Sequence, residues 1–343
     1  MKILHTSDWH LGHTLYNYDR TAEQQAFLRQ LTRIVTEEQP DAMVVSGDIY
    51  HYSSPAAATQ KMYTDAMLNI HQACPGMAIV VTAGNHDSSS KLEIDSSLWQ
   101  HFGLNVVGNI ERTAEEVNLY KHIIEINNEK KTKGYVIAVP HVYPQNFPLL
   151  DTETPRDQRQ ARFFQALLDE VKKRNTAQLP VVLMAHLSIE GSDRSGHDES
   201  IGGIEYVPLS AMGEGYDYLA LGHIHCPQDI KGSHHHARYC GTPLPVSFDE
   251  TYPHSVSIIE LEKGAEPQIS TREIENPIPL VTLPHDPTPF EDALKLLEEY
   301  PEEKPAYLRL NVLTKGYLPP DCNEKASNAA KGKACKYCYI KTT

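Results

Sequence analysis

The chain opens with MKILHTSDWHLG (residues 1–12), in which a short apolar run stops and Asp8 and His10 follow at once. Four later stretches repeat this arrangement: VVSGDIYH (44–51), VVTAGNHD (80–87), VVLMAH (181–186) and LALGHIH (219–225). In open α/β sheets, ligands gather beyond the carboxyl ends of the strands, so we expect these polar residues to converge in space. The five stretches therefore predict an α/β fold with one site assembled at its strand ends.

The polar residues at these strand ends are aspartates, histidines and one asparagine, with no cysteine among them. The strand-end aspartates, histidines and asparagine are Asp8, His10, Asp48, His51, Asn85, His86, Asp87, His186, His223 and His225. Carboxylate and carboxamide oxygens combined with imidazole nitrogens suit manganese, iron or zinc rather than a structural thiolate zinc site. Two such cations about 3.5–4 Å apart can clamp a phosphoryl group. The donor set therefore predicts a dinuclear metal centre, beside which Gly47, Gly84 and Gly222 permit sharp turns and close approach.

Between these strand ends, strand-like runs alternate with amphipathic helical patterns, which is typical of an α/β domain. The pattern predicts helices at 21–39, 56–73 and 157–174, and strands at Lys2–Thr6, Ala42–Ser46, Ala78–Thr82, Tyr135–Val139, Val181–Ala185, Tyr218–Leu221, Ala237–Cys240, Ser255–Leu261 and Ile269–Ile274. The first helix is expected to begin at a capping box of Thr21 and Gln24. Beyond about residue 227, the pattern predicts an antiparallel finish to the sheets.

The character of the sequence changes at residues 276–279, which read NPIP. The segment that follows predicts a strand at Leu280–Leu283, a helix at Phe290–Tyr300, a strand at Ala306–Leu313, a short helix at Cys322–Ala330 and a final strand. A unit this small is a sensible cap on a larger domain. We therefore expect two domains, residues 1–275 and a small α+β capping domain at residues 276–343.

Composition narrows the possible functions. The 343 residues are 40% hydrophobic and 22% charged, which excludes a disordered or fibrous chain. No apolar run approaches the roughly 18 residues that cross a bilayer, and no signal-peptide segment is recognised, so a cytoplasmic location without a membrane is expected. The net charge of −14 argues against a protein that grips nucleic acid by bulk electrostatics alone. Cys335 and Cys338 lie three apart on a predicted strand and should point to opposite faces.

In order and spacing, the strand-end motifs resemble those of the calcineurin-like metallophosphoesterases. They are Asp8-x-His10, Gly47-Asp48-x-x-His51, Gly84-Asn85-His86-Asp87, His186 and Gly222-His223-x-His225. Within that superfamily the chain is similar to the SbcD and Mre-type nucleases, in HTSDWHLG (5–12), RYCGTP (238–243), SFDE (247–250) and LPPD (318–321). The resemblance implies a sandwich of two sheets flanked by helices, with a small C-terminal α+β capping domain.

The resemblance also implies a role for each site residue. The first metal would be held by Asp8, His10, Asp48 and His225, and Asp48 would bridge to a second metal completed by Asn85, His186 and His223. His86 would be the general acid, because an imidazole with an ordinary pKa of about 6.5 can donate a proton near neutrality. His51 stands where simple phosphatases of the superfamily tend to carry an aspartate. It would contact the substrate phosphate, which favours a nuclease; a solvent-exposed loop histidine is the alternative.

The implied activity is that of a manganese-dependent DNA nuclease, acting 3′ to 5′ on double-stranded ends and endonucleolytically on hairpins or single strands. The implied partners are DNA, an SMC-like ATPase of the SbcC type and a second copy of the chain. A phosphodiesterase or phosphatase for nucleotides or phosphoproteins is the alternative, and a scaffold with a structural metal centre is a third possibility. The sequence does not fix the physiological metal. In this family the segment that docks on the ATPase usually lies beyond the cap. The sequence reaches Thr343 with the cap's last strand, so whether this chain binds the ATPase stays open.

Overall fold

A computed structural model describes residues 1–112, 116–128, 131–196, 206–232, 237–314 and 316–343. Its strands are β1 (Lys2–Thr6), β2 (Ala42–Ser46), β3 (Ala78–Thr82), β4 (Leu104–Val107), β5 (Ile123–Asn128), β6 (Lys131–Ala138), β7 (Val181–His186), β8 (Ser188–Ile189), β9 (Tyr206–Val207), β10 (Tyr218–Gly222), β11 (Gln228–Asp229), β12 (Ala237–Tyr239), β13 (Ser255–Glu260), β14 (Gln268–Glu273), β15 (Leu280–Thr288), β16 (Tyr307–Val312) and β17 (Lys336–Thr342). Its α-helices are α1 (Thr21–Glu38), α2 (Ala57–Ala73), α3 (Ser89–Leu92), α4 (Ser96–Trp99), α5 (Arg159–Arg174), α6 (Phe290–Glu298) and α7 (Cys322–Ala330).

Two six-stranded sheets form the body of the molecule. The first has the order β14-β13-β1-β2-β3-β4, with β1 to β4 parallel and with β13 and β14 antiparallel. The second has the order β11-β12-β10-β7-β6-β5, with β6, β7, β10 and β12 parallel. The prediction of an antiparallel finish is confirmed for β13 and β14 but wrong for β12. Because β11 runs antiparallel to β12, it reverses the chain before β12 resumes the direction of β10.

The two sheets face each other, and helices cover their outer faces. Ile3 and Val44 of the first sheet meet Val182 of the second in the core between them. On the outside of the first sheet, Phe27 of α1 and other apolar residues of α1 and α2 form a second core. On the outside of the second sheet, Phe163 of α5 contributes to a third. This arrangement confirms the predicted sandwich of two sheets flanked by helices, and each fully buried side chain of this kind contributes about 1.5–3 kcal/mol.

The last part of the chain forms a separate parallel sheet, β15-β16-β17, covered on one face by α6 and α7. Cys335 belongs to the core under these helices, whereas Cys338 packs against the cluster on the other face, so the two thiols point apart as predicted. The sheet contacts the body through Arg309, whose Nη1 donates to Asp249 Oδ1 at 2.7 Å. Placing the domain boundary between residues 275 and 276 stays a prediction.

Helix α1 begins differently from the prediction. Arg20 occupies the N-cap position without a side-chain capping bond, and the Asp19 carboxylate accepts from the Thr21 backbone N–H at 3.0 Å. Gln24 Oε1 instead accepts from the Gly12 backbone N–H at 3.0 Å. The predicted capping box is therefore wrong, because Gln24 is engaged by the loop that follows β1. None of the helices in the described part of the chain is both long and apolar enough to span a membrane.

Candidate metal centre

The seven predicted ligands lie together at one end of the sandwich, at the end of β7 and in the loops after β1, β2, β3 and β10. Four of them have a positive backbone φ, namely Asp8 (52°), His10 (45°), Asp48 (52°) and His223 (99°). A left-handed backbone costs a residue other than glycine about 1–2 kcal/mol. Strain of this kind persists only where the surrounding structure enforces it, and it clusters at functional sites. The loops thus hold these side chains at an energetic cost.

One group of donors consists of Asp8, His10 and His225, all buried. His10 Nε2 and His225 Nε2 face each other at 3.2 Å. Two imidazole nitrogens that each bind one cation at about 2.1 Å would lie about 3 Å apart. The two rings therefore fit a shared cation, and the Asp8 carboxylate is close enough to complete the group.

A second group surrounds Asn85. Its Oδ1 lies 3.0 Å from His186 Nε2 and 3.0 Å from His223 Nδ1. Asp48 Oδ2 lies 3.4 Å from the same His186 nitrogen. An amide oxygen, a carboxylate oxygen and two imidazole nitrogens thus converge on a second position that suits a divalent cation.

Two carboxylates stand between these groups. Asp48 Oδ2 is 3.4 Å from His186 Nε2 and 3.8 Å from His10 Nε2. Asp8 is close to His10 and His225 and also to Asp48 and His186. Either carboxylate is therefore placed to join two cations, and the assignment of the bridge to Asp48 alone stays a prediction.

Hydrogen bonds behind the ligands fix how the imidazoles point. His186 Nδ1 donates to the Ser46 backbone oxygen at 2.8 Å, and His225 Nδ1 donates to Glu250 Oε1 at 3.0 Å. Each bond commits the proton to Nδ1 and leaves the Nε2 lone pair toward the centre, as metal-binding histidines require. Because Ser46 ends β2 and His186 ends β7, the first of these bonds also joins the two sheets.

The charges at the centre favour a cation. Burial raises the pKa of Asp8 to about 6. Burial alone would lower the pKa of His186, but the Asp48 and Asp8 carboxylates raise it to about 9, so without a cation a proton occupies the Nε2 position that a cation would take. Two buried carboxylates without enough positive charge are costly, and divalent cations would relieve that cost.

The glycines beside the ligands leave room for them, as predicted. A Cβ added to Gly84 would collide with the Asp48 carboxylate, and one added to Gly47 would collide with the His186 ring. A Cβ added to Gly222 would collide with the Ser46 backbone oxygen. Of the three, only Gly47 also has a positive φ, at 86°. Close approach is therefore the shared reason for these glycines.

His86 and His51 lie beside the ligands in the wall of a cavity of about 350 Å³. The His86 backbone N–H donates to Asp48 Oδ1 at 2.9 Å, and its Nδ1 donates to the His51 backbone oxygen at 2.9 Å. The His86 ring centre lies 4.9 Å from that of His10. His51 is half-buried, and burial lowers the pKa of its imidazole to about 4. The structure brings both predicted catalytic residues to the centre, while their roles stay predictions.

Two carboxylates that support the centre were missed as functional residues. Asp87 accepts from the backbone N–H groups of Ile49, Tyr50 and Gly84 at 3.1, 2.9 and 2.8 Å, so it ties the loop after β2 to the loop after β3. Glu250 holds His225 as described above. Both residues stand in motifs quoted for the resemblance, which was the available signal.

Two further histidines lie close to the centre. His13 lines the cavity, and its ring centre is 4.6 Å from that of His51. His141 Nδ1 donates to the His186 backbone oxygen at 3.1 Å, and its ring centre lies 6.5 Å from that of His223. His13 lies seven residues beyond the end of β1, too far for the strand-end pattern to reveal it. His141 lies three residues beyond the end of β6, as Asn85 does beyond β3, so the same pattern was the available signal for it.

Strained loops, buried negative charge and converging lone pairs are explained together if divalent cations bind here, which places the chain among the metallohydrolases. The family model described as calcineurin-like phosphoesterase matches residues 1–227. The SbcD subunit of the SbcCD nuclease of Rhodobacter capsulatus is 33% identical over 309 residues, which cover 87% of this chain and 75% of the relative. The chain therefore belongs to the calcineurin-like phosphoesterases and, within them, to the SbcD family of nuclease subunits.

Other relatives agree with this placement. The SbcD subunit of the SbcCD nuclease of Escherichia coli K12 is 29% identical over 330 residues, which cover 93% of this chain and 79% of the relative. A dimetal phosphatase from Danio rerio has a TM-score of 0.43 at 14% identity, over 79% of this chain and 98% of that chain, which is too weak to support a conclusion. The chain is a hydrolytic phosphodiesterase of a nuclease family, and its centre takes divalent metals.

Proposed function

We propose that this chain is a manganese-dependent DNA nuclease of repair and recombination, which degrades double-stranded ends 3′ to 5′ and cuts hairpins and single strands endonucleolytically. The observation that carries the proposal is the position of His86, whose ring lies 4.9 Å from that of His10 in the wall of an open cavity. A proton donor beside a metal centre suits the cleavage of a phosphodiester, because the departing sugar oxygen needs a proton. The identity to SbcD nuclease subunits supports DNA as the substrate.

We assign the seven ligands to two cations: Asp8, His10, Asp48 and His225 to one, and Asp48, Asn85, His186 and His223 to the other. When bound, the cations supply positive charge for the phosphoryl oxygens and lower the pKa of a water nucleophile. Manganese suits the mixture of carboxylate, amide and imidazole donors. The contacts of 3.0 Å around Asn85 and of 3.2 Å between His10 and His225 support this division.

In this proposal His86 donates a proton from Nε2 to the leaving oxygen. Its Nδ1 already donates to the His51 backbone oxygen, which holds the ring and leaves Nε2 for the proton transfer. The hydrogen bond from the His86 backbone N–H to Asp48 fixes the position of His86 relative to the ligands. His51, half-buried in the same wall, contacts a phosphate oxygen of the substrate.

The proposal extends to the organisation of the protein. Residues 1–275 form the nuclease domain and residues 276–343 the capping domain, which has its own core. An SMC-like ATPase of the SbcC type supplies much of the DNA grip, since a chain of net charge −14 has little of its own. Ile94 and Leu98 are 78% and 57% exposed, which supports an apolar contact between two copies in a homodimer. The protein works in the cytoplasm, where its DNA substrate is found.

Cleavage of an end-labelled DNA hairpin tests this function. We expect cleavage with Mn²⁺, none with a chelator, and higher turnover than on bis-p-nitrophenyl phosphate. Turnover of the small diester without cleavage of any DNA would support the alternative, a phosphodiesterase or phosphatase for nucleotides or phosphoproteins. Because the chain is acidic, we also expect it to bind DNA weakly by itself, with a shallow dependence on salt. A tight, steeply salt-dependent complex would contradict that expectation.

His86→Ala separates catalysis from metal binding. The variant should keep the metal content of the natural chain and lose DNA cleavage, because we assign both cations to the other two donor groups, although a His86 ring nitrogen lies within 4.8 Å of ring nitrogens of His10 and His51. Elemental analysis gives the metal content, and the hairpin assay gives the activity. His285→Ala is the matched control, since His285 is almost fully exposed on the capping sheet and should change neither. Cleavage retained in His86→Ala would move the acid to another residue.

A further inference from the structure

A tyrosine is held in a strained turn at the edge of the cavity. Leu15 and Tyr18 pair through two backbone hydrogen bonds of 3.1 and 2.9 Å, and the two residues between them, Tyr16 and Asn17, have φ of 48° and 67°. A two-residue turn of this type requires positive φ at both positions, which asparagine and glycine normally provide. Tyrosine there costs conformational energy that glycine would avoid.

The ring of Tyr16 is held firmly but is not buried. It stacks on Tyr339 of β17, with ring centres 4.7 Å apart and ring planes 22° apart. The turn is also tied to β17 by Tyr18, whose hydroxyl donates to the Tyr337 backbone oxygen at 2.9 Å. Tyr16 nevertheless remains 46% exposed. The strained backbone therefore holds in a fixed position an aromatic ring that is still exposed to solvent.

The position of this ring relates it to the metal centre. Tyr16 lines the same cavity as His51 and His86, beside the ligands His10 and His225. A phosphodiester placed at the centre would therefore bring its flanking nucleotides past Tyr16. Aromatic rings are the usual partners of unpaired bases, since every base offers a flat face that can stack.

We propose that Tyr16 is a stacking platform for an unpaired nucleobase next to the cleaved phosphodiester, an inference that rests on the nuclease function proposed above. Inside a duplex the faces of a base are covered by its neighbours, so the platform accepts only a base that has left the stack. The ligand class is thus the unpaired nucleotide of a frayed end, a hairpin loop or a single strand. Stacking also suits an acidic chain, because it does not depend on positive charge.

Abasic substrates test the platform directly. An end-labelled single strand is cleaved with Mn²⁺, and a tetrahydrofuran abasic unit is placed in turn at each position that flanks the main cleavage site. At one position, the abasic unit should lower kcat/KM of the natural chain by about tenfold. Tyr16→Ala should lower kcat/KM on the intact strand by about the same factor and should then lose less than about twofold from the abasic unit at that position.

Two further variants protect the test from a structural artefact. Tyr16→Leu keeps an apolar contact with Tyr339 but has no aromatic face, so it should behave like Tyr16→Ala, whereas Tyr16→Trp should keep the full abasic penalty. Tyr317→Ala, at a fully exposed tyrosine of the cap, is the control and should keep the natural penalty. Metal content and thermal unfolding of each variant show that the centre and the fold are intact.

The outcomes separate this inference from the function on which it rests. If Tyr16→Ala and Tyr16→Leu keep the full abasic penalty, or if no abasic position affects the natural chain, the platform is refuted while DNA cleavage stands. If the natural chain hydrolyses bis-p-nitrophenyl phosphate with Mn²⁺ but cuts no oligonucleotide, the nuclease function itself is refuted.

Discussion

Glu250→Ala should weaken metal binding while leaving the chain folded. The Glu250 side chain is buried, with Oε1 3.0 Å from His225 Nδ1 and Oε2 accepting from Thr242 Oγ1 at 2.8 Å. A carboxylate in this position orients the ligating imidazole and raises its basicity, and its loss costs about 10- to 100-fold in metal affinity. That range corresponds to about 1.4–2.8 kcal/mol of binding free energy.

The contacts of Glu250 place two variants at different points of this range. Alanine removes the charge and the hydrogen bond together and leaves the His225 and Thr242 donors without their buried acceptor, so we expect a loss of about 100-fold. Glutamine keeps one acceptor oxygen, which can stay with His225, and replaces the other by an NH2 group facing the Thr242 hydroxyl, so we expect a smaller loss of about 10-fold. The geometry therefore predicts that Glu250→Ala loses more metal affinity than Glu250→Gln.

Isothermal titration of the metal-free chain with Mn²⁺ measures these affinities, and thermal unfolding without metal checks the fold. Asp249→Asn is the control, because the neighbouring Asp249 bonds Arg309 of the cap and is not a ligand contact. Its Mn²⁺ affinity should equal that of the natural chain. If Glu250→Ala binds Mn²⁺ as tightly as the natural chain, the argument that Glu250 supports His225 is wrong.

Three further outcomes are expected. Asp48→Asn should lose both cations, since its carboxylate lies between the two donor groups, and two metal ions per chain in elemental analysis would contradict this. Gly84→Ala should lower both the metal content and the unfolding free energy, the latter by about 1–3 kcal/mol in urea titrations, because the new methyl group meets the Asp48 carboxylate. Burial lowers the pKa of His122 to about 4. Between about pH 6.5 and 4 the unfolded chain therefore binds a proton at His122 that the native chain does not bind, so the free energy of unfolding falls as the pH falls. In His122→Leu the free energy of unfolding should fall by about 1.4 kcal/mol less per pH unit between about pH 6.5 and 4 than in the natural chain. An equal fall in the variant and the natural chain would refute this prediction.

Strands buried on both faces were the easiest elements to predict. Strands β1, β2 and β3 run where continuous apolar residues stop at polar ones, and nearly every residue in them is buried. The strands β4 and β5 were not predicted. Both lie at sheet edges, where β4 has only four residues and β5 carries exposed polar side chains, so neither shows a continuous apolar run. Edge position, rather than weak strand preference, explains these omissions.

The site was predictable as far as its residues follow a strand. The register that ends β3 at Thr82 and β10 at Gly222 also sets where Asn85 and His223 emerge, so local pattern was sufficient to place the candidate residues together, while the choice of ligands among them came from the family resemblance. Glu250 follows none of these strands and acts across the fold, on His225. Contacts between distant segments leave no periodic trace in a single sequence, and neither does the backbone strain at Asp8 and Asp48.

The hydrogen bond from His186 to Ser46 joins the two sheets, so the metal centre needs both of them. This bears on when, during synthesis, the chain becomes able to cut DNA. A ribosome that has released about the first hundred residues has made Asp8, His10, Asp48, Asn85 and His86, which include the proposed acid but only four of the seven proposed ligands. The remaining imidazoles arrive with residues 186, 223 and 225, after the second sheet is largely synthesised. A half-made chain therefore cannot assemble the complete cutting apparatus, and the topology itself delays it until both halves of the sandwich have closed.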